Sequence, residues 1–420
     1  MEDEEKKPAG QAGKDENVEP LELPLRKIIG RTLPLYRYCE KNRNVKKIRS
    51  FGNFGDLRVP DVDNLESVVP ASNGELSQES SDSGQVVPQQ SLMDSLLLAE
   101  WDDRAEQGLF RYDVTACPTH IIGGSHGFIA QLNEGRASKK RPTEFRVDKV
   151  DQPFDESKFN FCKAFQKEAL FQFEQGAAGD ASFEEEAEVK SSPNLVLINV
   201  SPIDYGHVLL VPRALDNMQQ LVTPDTFLLA LRFAQEANNP YFRIGFNSLG
   251  AYATVNHLHF QAYYLASPMP LERTKTSLIT RRCGRKGSRI PISIHKLENY
   301  PVKGLVFEAG DSLEDMANFI GGLCQRLSGK NIPHNIMVVD RGARVFLIPN
   351  SFSARKARSE LPEDVIESQV DPAVFEISGH IVLKRKEDYE KVDQDWVWKL
   401  LECASVSDEK FDEVVDLCLI

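Results

Sequence analysis

The sequence lacks any run of uncharged apolar residues that approaches the ~18 needed for a membrane-spanning helix. Its first residues, Met1 to Lys7, are charged and are not followed by an apolar stretch, which argues against a secretory signal. Their acidity argues against a transit peptide as well. We therefore expect no membrane partner and a cytoplasmic location, with the nucleus left open as a second compartment.

Closely spaced cysteines and an excess of basic charge are also missing. The seven cysteines are scattered along the chain, and no two stand at the CxxC spacing typical of structural zinc sites. Their odd number and spread favour reduced thiols over a disulfide framework. The net charge of -13 argues against nucleic acid as a partner, although a few local donors would still be enough to bind a phosphate.

What the sequence does contain is 41% hydrophobic residues in a chain of 420, enough for one large core or two ordinary ones. Polar composition predicts that residues 1–90 are largely disordered, apart from a short apolar segment near 33–36 that could dock on the folded body. We expect a catalytic half over 91–275, with a flexible insertion at 174–193, and a second half over 276–420.

The alternation and length of apolar runs predict strands at 194–200, 207–212 and 241–247, with a helix over 223–238 that begins at Thr223-Pro224. The stretch 144–150 also alternates and is predicted to be an edge strand. Further strands are predicted at 334–339 and 344–349, and the second of these ends in Leu347-Ile348-Pro349, much as the earlier hairpin ends in Leu210-Val211-Pro212. This likeness is consistent with a duplicated α+β unit whose second copy lacks the histidine pair, but the periodicity alone does not establish it.

The most informative motif is Asn256-His257-Leu258-His259-Phe260-Gln261, which is predicted to lie on a strand. Because side chains alternate along a strand, His257, His259 and Gln261 would share one face and the apolar residues between them the other. Imidazole is a good nucleophile towards phosphorus, and an amide N–H can stabilise the charge that develops on a phosphoryl oxygen. The small and hydroxyl-bearing residues of 247–254 would suit phosphate binding nearby.

Two other interpretations of the motif remain open at this stage. Two histidines one residue apart on a strand also form a metal-ligand pattern, although no third acidic or histidine ligand is evident nearby. Both histidines could instead be buried structural residues with satisfied hydrogen bonds.

The run from Val255 to Ala266 resembles the active-site strand of the histidine triad (HIT) superfamily, and Gln261 corresponds to the glutamine of its galactose-1-phosphate uridylyltransferase branch. Within that branch it is similar to the plant GDP-L-galactose phosphorylases, and Leu258 between the histidines favours this group over the uridylyltransferases. Asn199-Val200-Ser201-Pro202 and the run from Gly206 to Arg213 fit the family's upstream hairpin. The resemblance implies a duplicated HIT-like fold with an antiparallel sheet and flanking helices.

The resemblance also implies roles for individual residues. His259 would be the nucleophile, His257 would position it, and Gln261 would hold the phosphoryl oxygens. Asn199 would bind the nucleotide ribose, and Asn247 and Thr254 would contact phosphate.

The implied reaction is phosphorolysis of GDP-L-galactose to L-galactose 1-phosphate and GDP through a GMP-histidine intermediate, a step of L-ascorbate synthesis. The substrates would be a GDP-hexose and inorganic phosphate, with no cofactor and no metal. Alternatives are a GDP-D-glucose phosphorylase, a related nucleotide hydrolase or uridylyltransferase, and a nucleotide-sensing protein that keeps the fold without the reaction. A homodimer is an open option.

Overall fold

A computed structural model of the chain describes residues 22–39, 90–139, 144–177, 180–284 and 290–420. Most of the predicted disordered region, residues 1–21 and 40–89, lies outside the described residues. None of the helices in the described ranges is long and apolar enough to span a bilayer.

The strands of the described residues are β1 (Thr32–Tyr38), β2 (Thr119–Ile121), β3 (Ile129–Leu132), β4 (Ala169–Gln175), β5 (Ser182–Glu188), β6 (Leu195–Ile198), β7 (Val208–Val211), β8 (Phe242–Asn247), β9 (Phe260–Tyr264), β10 (Thr276–Arg282), β11 (Ile292–Leu297), β12 (Leu305–Glu308), β13 (His334–Val339), β14 (Arg344–Pro349) and β15 (His380–Leu383). The helices are α1 (Leu92–Glu106), α2 (Glu134–Lys139), α3 (Pro224–Ala237), α4 (Pro270–Arg273), α5 (Leu313–Gly329), α6 (Phe352–Ala357), α7 (Glu363–Glu367), α8 (Val374–Ile377), α9 (Lys386–Lys391), α10 (Gln394–Glu402) and α11 (Asp408–Leu419).

A single 12-stranded sheet runs through the molecule in the order β10-β11-β12-β14-β13-β8-β9-β7-β6-β4-β1-β5. Every neighbouring pair is antiparallel except β1 with β4. The unit β6-β7-α3-β8-β9 recurs as β11-β12-α5-β13-β14, and the two copies meet where β8 pairs with β13. The predicted duplicated α+β fold with an antiparallel sheet and flanking helices is therefore confirmed.

The sequence likeness used to predict this duplication matched the wrong strands. The ending Leu347-Ile348-Pro349 belongs to β14, which is the counterpart of β9 in the topology, whereas Leu210-Val211-Pro212 ends β7. Buried strand ends of any position favour β-branched and apolar residues, so the shared letters reflect burial and not equivalence.

One face of the sheet packs on α1, α3, α5 and α11 and forms the largest apolar core. α3 begins at Thr223, whose hydroxyl accepts from the Thr226 N–H, and at Pro224 in the first turn, as the sequence predicted. Leu258, Phe260 and Ala262 all point into this core, which confirms the predicted apolar side of the histidine motif. The motif's polar side chains therefore lie on the opposite face.

Three segments differ from the sequence-based expectation. Residues 144–150 contain turns and bends and no strand; Phe145 packs on Leu249 and Ala253, and the Val150 N–H donates to Asn331 Oδ1 (2.9 Å). The predicted insertion at 174–193 contains β5, which pairs with β1. The apolar segment near 33–36 lies inside β1, and Tyr36 donates a buried hydrogen bond to Glu236 (2.7 Å), so it is a strand of the sheet and not an isolated anchor.

Candidate active site

A cavity of about 470 Å³ lies over the sheet face opposite the main core, within the range typical of small-molecule sites. Five of the six residues singled out from the sequence line it, namely Asn199, Asn247, Thr254, His259 and Gln261. The sixth, His257, is fully buried behind the cavity wall. The structure thus gathers residues from β8, β9 and two connecting segments, β6–β7 and β8–β9, at one place.

The two histidines stand just before the strand and not within it, because β9 begins only at Phe260. The side chain of Gln220 takes the place of a strand partner for His259. Its Oε1 accepts from the His259 N–H (2.9 Å), and its Nε2 donates to the His259 carbonyl (3.2 Å) and to the Asn247 carbonyl (3.0 Å). Gln220 is itself only 1% exposed. The backbone of the motif is therefore fixed by a loop side chain.

His259 is held in one tautomer. Its Nδ1 lies 2.8 Å from the carbonyl oxygen of His257, which can only accept, so the ring proton is on Nδ1. Burial lowers the pKa of His259 to about 4, so the ring is neutral at pH 7. Nε2 then carries a lone pair and is the ring nitrogen left to the cavity. This is the form that a nucleophilic imidazole requires.

His257 contacts His259 through its backbone carbonyl oxygen and not through its ring. The ring Nδ1 accepts from the Phe161 N–H (3.1 Å), which places the proton on Nε2. That Nε2 is buried and has no hydrogen-bond partner among the described residues. Burial lowers the pKa of His257 to about 3, so this ring is also neutral. Its ring therefore holds the loop that carries Phe161.

Gln261 lies beside a third histidine. His207 accepts from the Ile203 N–H at Nδ1 (2.8 Å). Its Nε2 lies 3.1 Å from Asn199 Nδ2, and His207 also forms a hydrogen bond with the side chain of Gln261. The buried His207 ring therefore fixes the Gln261 side chain at the cavity wall. Burial lowers the pKa of His207 well below its usual range.

Asn247 is oriented by the second half of the chain. Its Oδ1 accepts from Asn335 Nδ2 (2.6 Å) on β13 and from the backbone N–H of Val374 (2.9 Å) on α8. Both acceptor positions of the oxygen are thereby used, and Nδ2 is left as the group that can serve an anion in the cavity. Close contact with α8 is allowed by Gly245, where a Cβ would lie 2.6 Å from Val374 Cγ1.

Several cavity residues were not found from the sequence. Phe159, Phe161 and Phe165 form an aromatic wall, and the Phe161 ring packs 5.0 Å from that of His259. These phenylalanines lie in an irregular segment that has no periodic pattern to mark it. A further group of lining residues is basic or comes from other parts of the fold: Arg111, Arg136, Lys163, Lys167, Tyr252, Ala373, Phe375 and Glu376.

Metal-binding groups were sought among the same residues. Within the described ranges, no three histidine, cysteine, aspartate or glutamate side chains come together in a way that could hold a metal ion. The expectation that the reaction needs no metal stays a prediction.

Comparison with known proteins gives matches over most of the chain. Family models described as the GDPGP1-like N-terminal and C-terminal domains match residues 92–263 and 270–420. GDP-L-galactose phosphorylase 1 of Arabidopsis thaliana is 52% identical over 334 residues, which cover 79% of this chain and 74% of that protein. GDP-D-glucose phosphorylase 1 of Homo sapiens is 32% identical over 311 residues, covering 71% and 76%.

Among solved structures, yeast Ap4A phosphorylase Apa2 in complex with AMP matches with a TM-score of 0.48 and 14% identity. The match covers 74% of this chain and 96% of that one.

Proposed function

The chain belongs to the GDPGP1-like family, and from this membership we propose that it is a nucleotidyltransferase that phosphorolyses GDP-L-galactose to L-galactose 1-phosphate and GDP. Its 52% identity to an Arabidopsis GDP-L-galactose phosphorylase, against 32% to a human GDP-D-glucose phosphorylase, favours L-galactose as the sugar. Phosphorolysis of GDP-D-glucose is the second candidate, supported by those more distant relatives.

The observation that carries the proposal is the neutral ring of His259, with Nδ1–H held by the His257 carbonyl and Nε2 left to the cavity. Nε2 attacks the α-phosphorus, the bond from that phosphorus to the bridging oxygen breaks, and the electron pair leaves with the hexose 1-phosphate. A guanylyl group remains on Nε2. The ring keeps its proton on Nδ1 throughout, and the His257 carbonyl stabilises the positive charge that the ring gains.

Gln261 suits this leaving group. A side-chain amide donates a hydrogen bond but cannot transfer a proton, so no acid at this position can protonate the departing oxygen. A phosphate monoester has a second pKa of ≈ 6 and can leave without a proton at pH 7. The Gln261 amide, which contacts His207 and lines the cavity, can stabilise the phosphoryl oxygens as charge develops on them.

In the second step inorganic phosphate attacks the α-phosphorus of the guanylyl group. A phosphorus–oxygen bond forms, the phosphorus–nitrogen bond breaks, and its electron pair returns to Nε2 of His259. The products are GDP and the enzyme in its starting tautomer. We extend the proposal to a role in L-ascorbate synthesis in a plant, which the proposed substrate and the source of the more similar relatives support. A cytoplasmic location, with the nucleus as a second compartment, stays a prediction from the sequence.

The test is product formation from GDP-L-galactose with and without inorganic phosphate, with GDP-D-glucose run in parallel. GDP that forms only when phosphate is present supports a phosphorylase, and the ratio of rates identifies the sugar. GMP that forms at the same rate without phosphate would make the protein a hydrolase and overturn the proposal. His259→Ala should bind the GDP-sugar without turnover, while His120→Ala, at an exposed histidine outside the cavity, should retain wild-type rates.

A further inference from the structure

Four basic side chains line the cavity, and two of them are already engaged at its rim. Lys163 Nζ donates to the backbone carbonyls of Glu156 (2.6 Å), Ser157 (3.1 Å) and Lys158 (2.7 Å). Lys167 forms an ion pair with Glu22 (3.6 Å). Arg111 and Arg136 are the other two.

Arg136 is a cation without a carboxylate partner among the described residues. Its Nη1 donates to the Ser201 carbonyl (2.5 Å), and its backbone N–H donates to Asn133 Oδ1 (2.9 Å). The residue is half-buried and forms no ion pair with any described carboxylate. A guanidinium has five N–H donors; the Ser201 carbonyl and the Tyr112 side chain engage some of those on Arg136, and the others are left for a ligand of the cavity.

The position of Arg136 is built by the residues around it. A Cβ at Gly135 would lie 2.7 Å from the Tyr112 ring, so the glycine lets the first turn of α2 rest directly on that ring. The Tyr112 hydroxyl donates to the Pro202 carbonyl (2.6 Å), one residue beyond the carbonyl that Arg136 contacts. The helix, the ring and the 199–202 segment therefore form one support for the guanidinium.

This support lies on the Gln261 side of the cavity. Ser201, which Arg136 contacts, follows Asn199, and Asn199 contacts His207 (3.1 Å), which in turn contacts Gln261. The charge of Arg136 is close enough to His207 to contribute to lowering its pKa. Arg136, Gln261 and Asn199 thus surround one part of the cavity that His259 also faces.

The proposed reaction places a phosphate at a defined position relative to His259. In an in-line displacement the leaving group departs on the side of the α-phosphorus opposite Nε2. Inorganic phosphate must then approach from that same side to displace Nε2. The leaving phosphate and the entering phosphate therefore occupy one subsite.

We propose that Arg136 binds the phosphate in this subsite, first as the β-phosphate of the GDP-hexose and then as the inorganic phosphate that accepts the guanylyl group. The inference rests on the proposed function and deepens it. Arg136 is then the residue that makes phosphate the acceptor in preference to water, because a bidentate guanidinium holds a phosphate in place and gives water no comparable contact. In the accepting step an oxygen of the bound phosphate forms the new bond to phosphorus, and the electron pair of the broken bond stays on Nε2.

The test uses the full chain and the variants Arg136→Gln and Arg136→Lys. Arg385→Gln serves as the control, since Arg385 pairs with Asp388 on the surface. We expect Arg136→Gln to raise the KM for inorganic phosphate about 10- to 100-fold, as loss of a charge-assisted bidentate contact implies. The product should shift from GDP towards GMP as water intercepts the intermediate. Arg136→Lys, which keeps the charge, should fall between the wild type and Arg136→Gln.

Incubation with the GDP-hexose but without inorganic phosphate separates the two proposals. The first step should then release a burst of hexose 1-phosphate and leave GMP bound to the protein. If the wild-type protein gives no burst and no GMP-protein, the proposed function itself fails. If the wild type gives the burst but Arg136→Gln and Arg136→Lys both keep the wild-type KM for phosphate and the wild-type ratio of GDP to GMP, the function stands and the role of Arg136 is overturned. Should Arg136→Gln fail to fold, Arg136→Lys decides by the same two quantities.

Discussion

Gln220 should be essential for placing the nucleophile even though it does not line the cavity. Its side chain is 1% exposed and makes three hydrogen bonds to the backbone of His259 and Asn247, two residues of the site. Replacement by leucine keeps the approximate volume and removes all three bonds. The histidine segment then loses the partner that substitutes for a neighbouring strand.

The cost can be worked from these contacts. The His259 N–H would be left buried and unpaired, which costs roughly 1–3 kcal/mol, and two carbonyl groups would each lose one donor. Together these losses predict a decrease of about 2–5 kcal/mol in the free energy of unfolding for Gln220→Leu. Activity should fall further than stability implies, since misplacement of a reacting group by about 1 Å can cost on the order of 10²-fold in rate.

The assay pairs urea unfolding with kcat at saturating GDP-hexose and phosphate. Gln172→Leu is the matched control, because Gln172 is also a buried amide (2% exposed) that donates to two carbonyls, those of Leu33 and Ala187 (both 3.3 Å). It should lower the free energy of unfolding by about 1–2 kcal/mol and leave kcat unchanged. A kcat of Gln220→Leu within twofold of the wild type would refute the idea that this amide fixes the nucleophile.

Three further predictions concern acidity, packing and the second half of the chain. Lowering the pH from about 6.5 to about 4 should destabilise the fold, because five buried rings have folded-state pKa values below the 6.5 of the unfolded chain, which therefore binds more protons in this window. The pKa is about 3 for His257, about 4 for His259, His334 and His380, and well below the usual range for His207. Urea titrations at several pH values should show a loss of up to about 7 kcal/mol per pH unit, and a flat profile would contradict the assigned burial. Gly245→Ala should cost about 1–3 kcal/mol in thermal or urea unfolding, since its Cβ would overlap Val374, and wild-type stability would show that α8 can shift freely. Asn335→Leu should raise the KM for the GDP-hexose by freeing the Asn247 amide to rotate, and an unchanged KM would remove the second half from substrate binding.

The regular parts of this fold could be predicted because their signals are local. The strands β13 and β14 begin and end where the alternation predicted, and α3 begins at its Thr223-Pro224 cap. The apolar face of the histidine motif was also predictable, because alternation requires only the residues themselves. The segment 144–150 shows the limit: it alternates, but no neighbouring strand is available to pair with it.

The site was predictable only where one motif contained it. The histidine motif indicated its own residues and, through the resemblance, Asn199, Asn247 and Thr254, and the structure brings five of these six together at one cavity. Gln220 and the aromatic wall of Phe159, Phe161 and Phe165 come from irregular segments, and Arg136 comes from the short helix α2; all of these residues are ordinary in isolation. Their contribution depends on tertiary contacts to segments distant in the chain, which no local pattern records.

The pairing of β8 with β13 makes assembly of the site a unimolecular event. In a protein built from two separate chains, joining two such halves would depend on concentration, and dilution would take the site apart. Here the halves are tethered, so Asn335 reaches Asn247 at an effective concentration set by the connecting chain and not by expression level. One half can therefore keep the nucleophile. The other half has no histidine in the turn before β14 (Asp340–Gly342) and contributes the contact of Asn335 with Asn247.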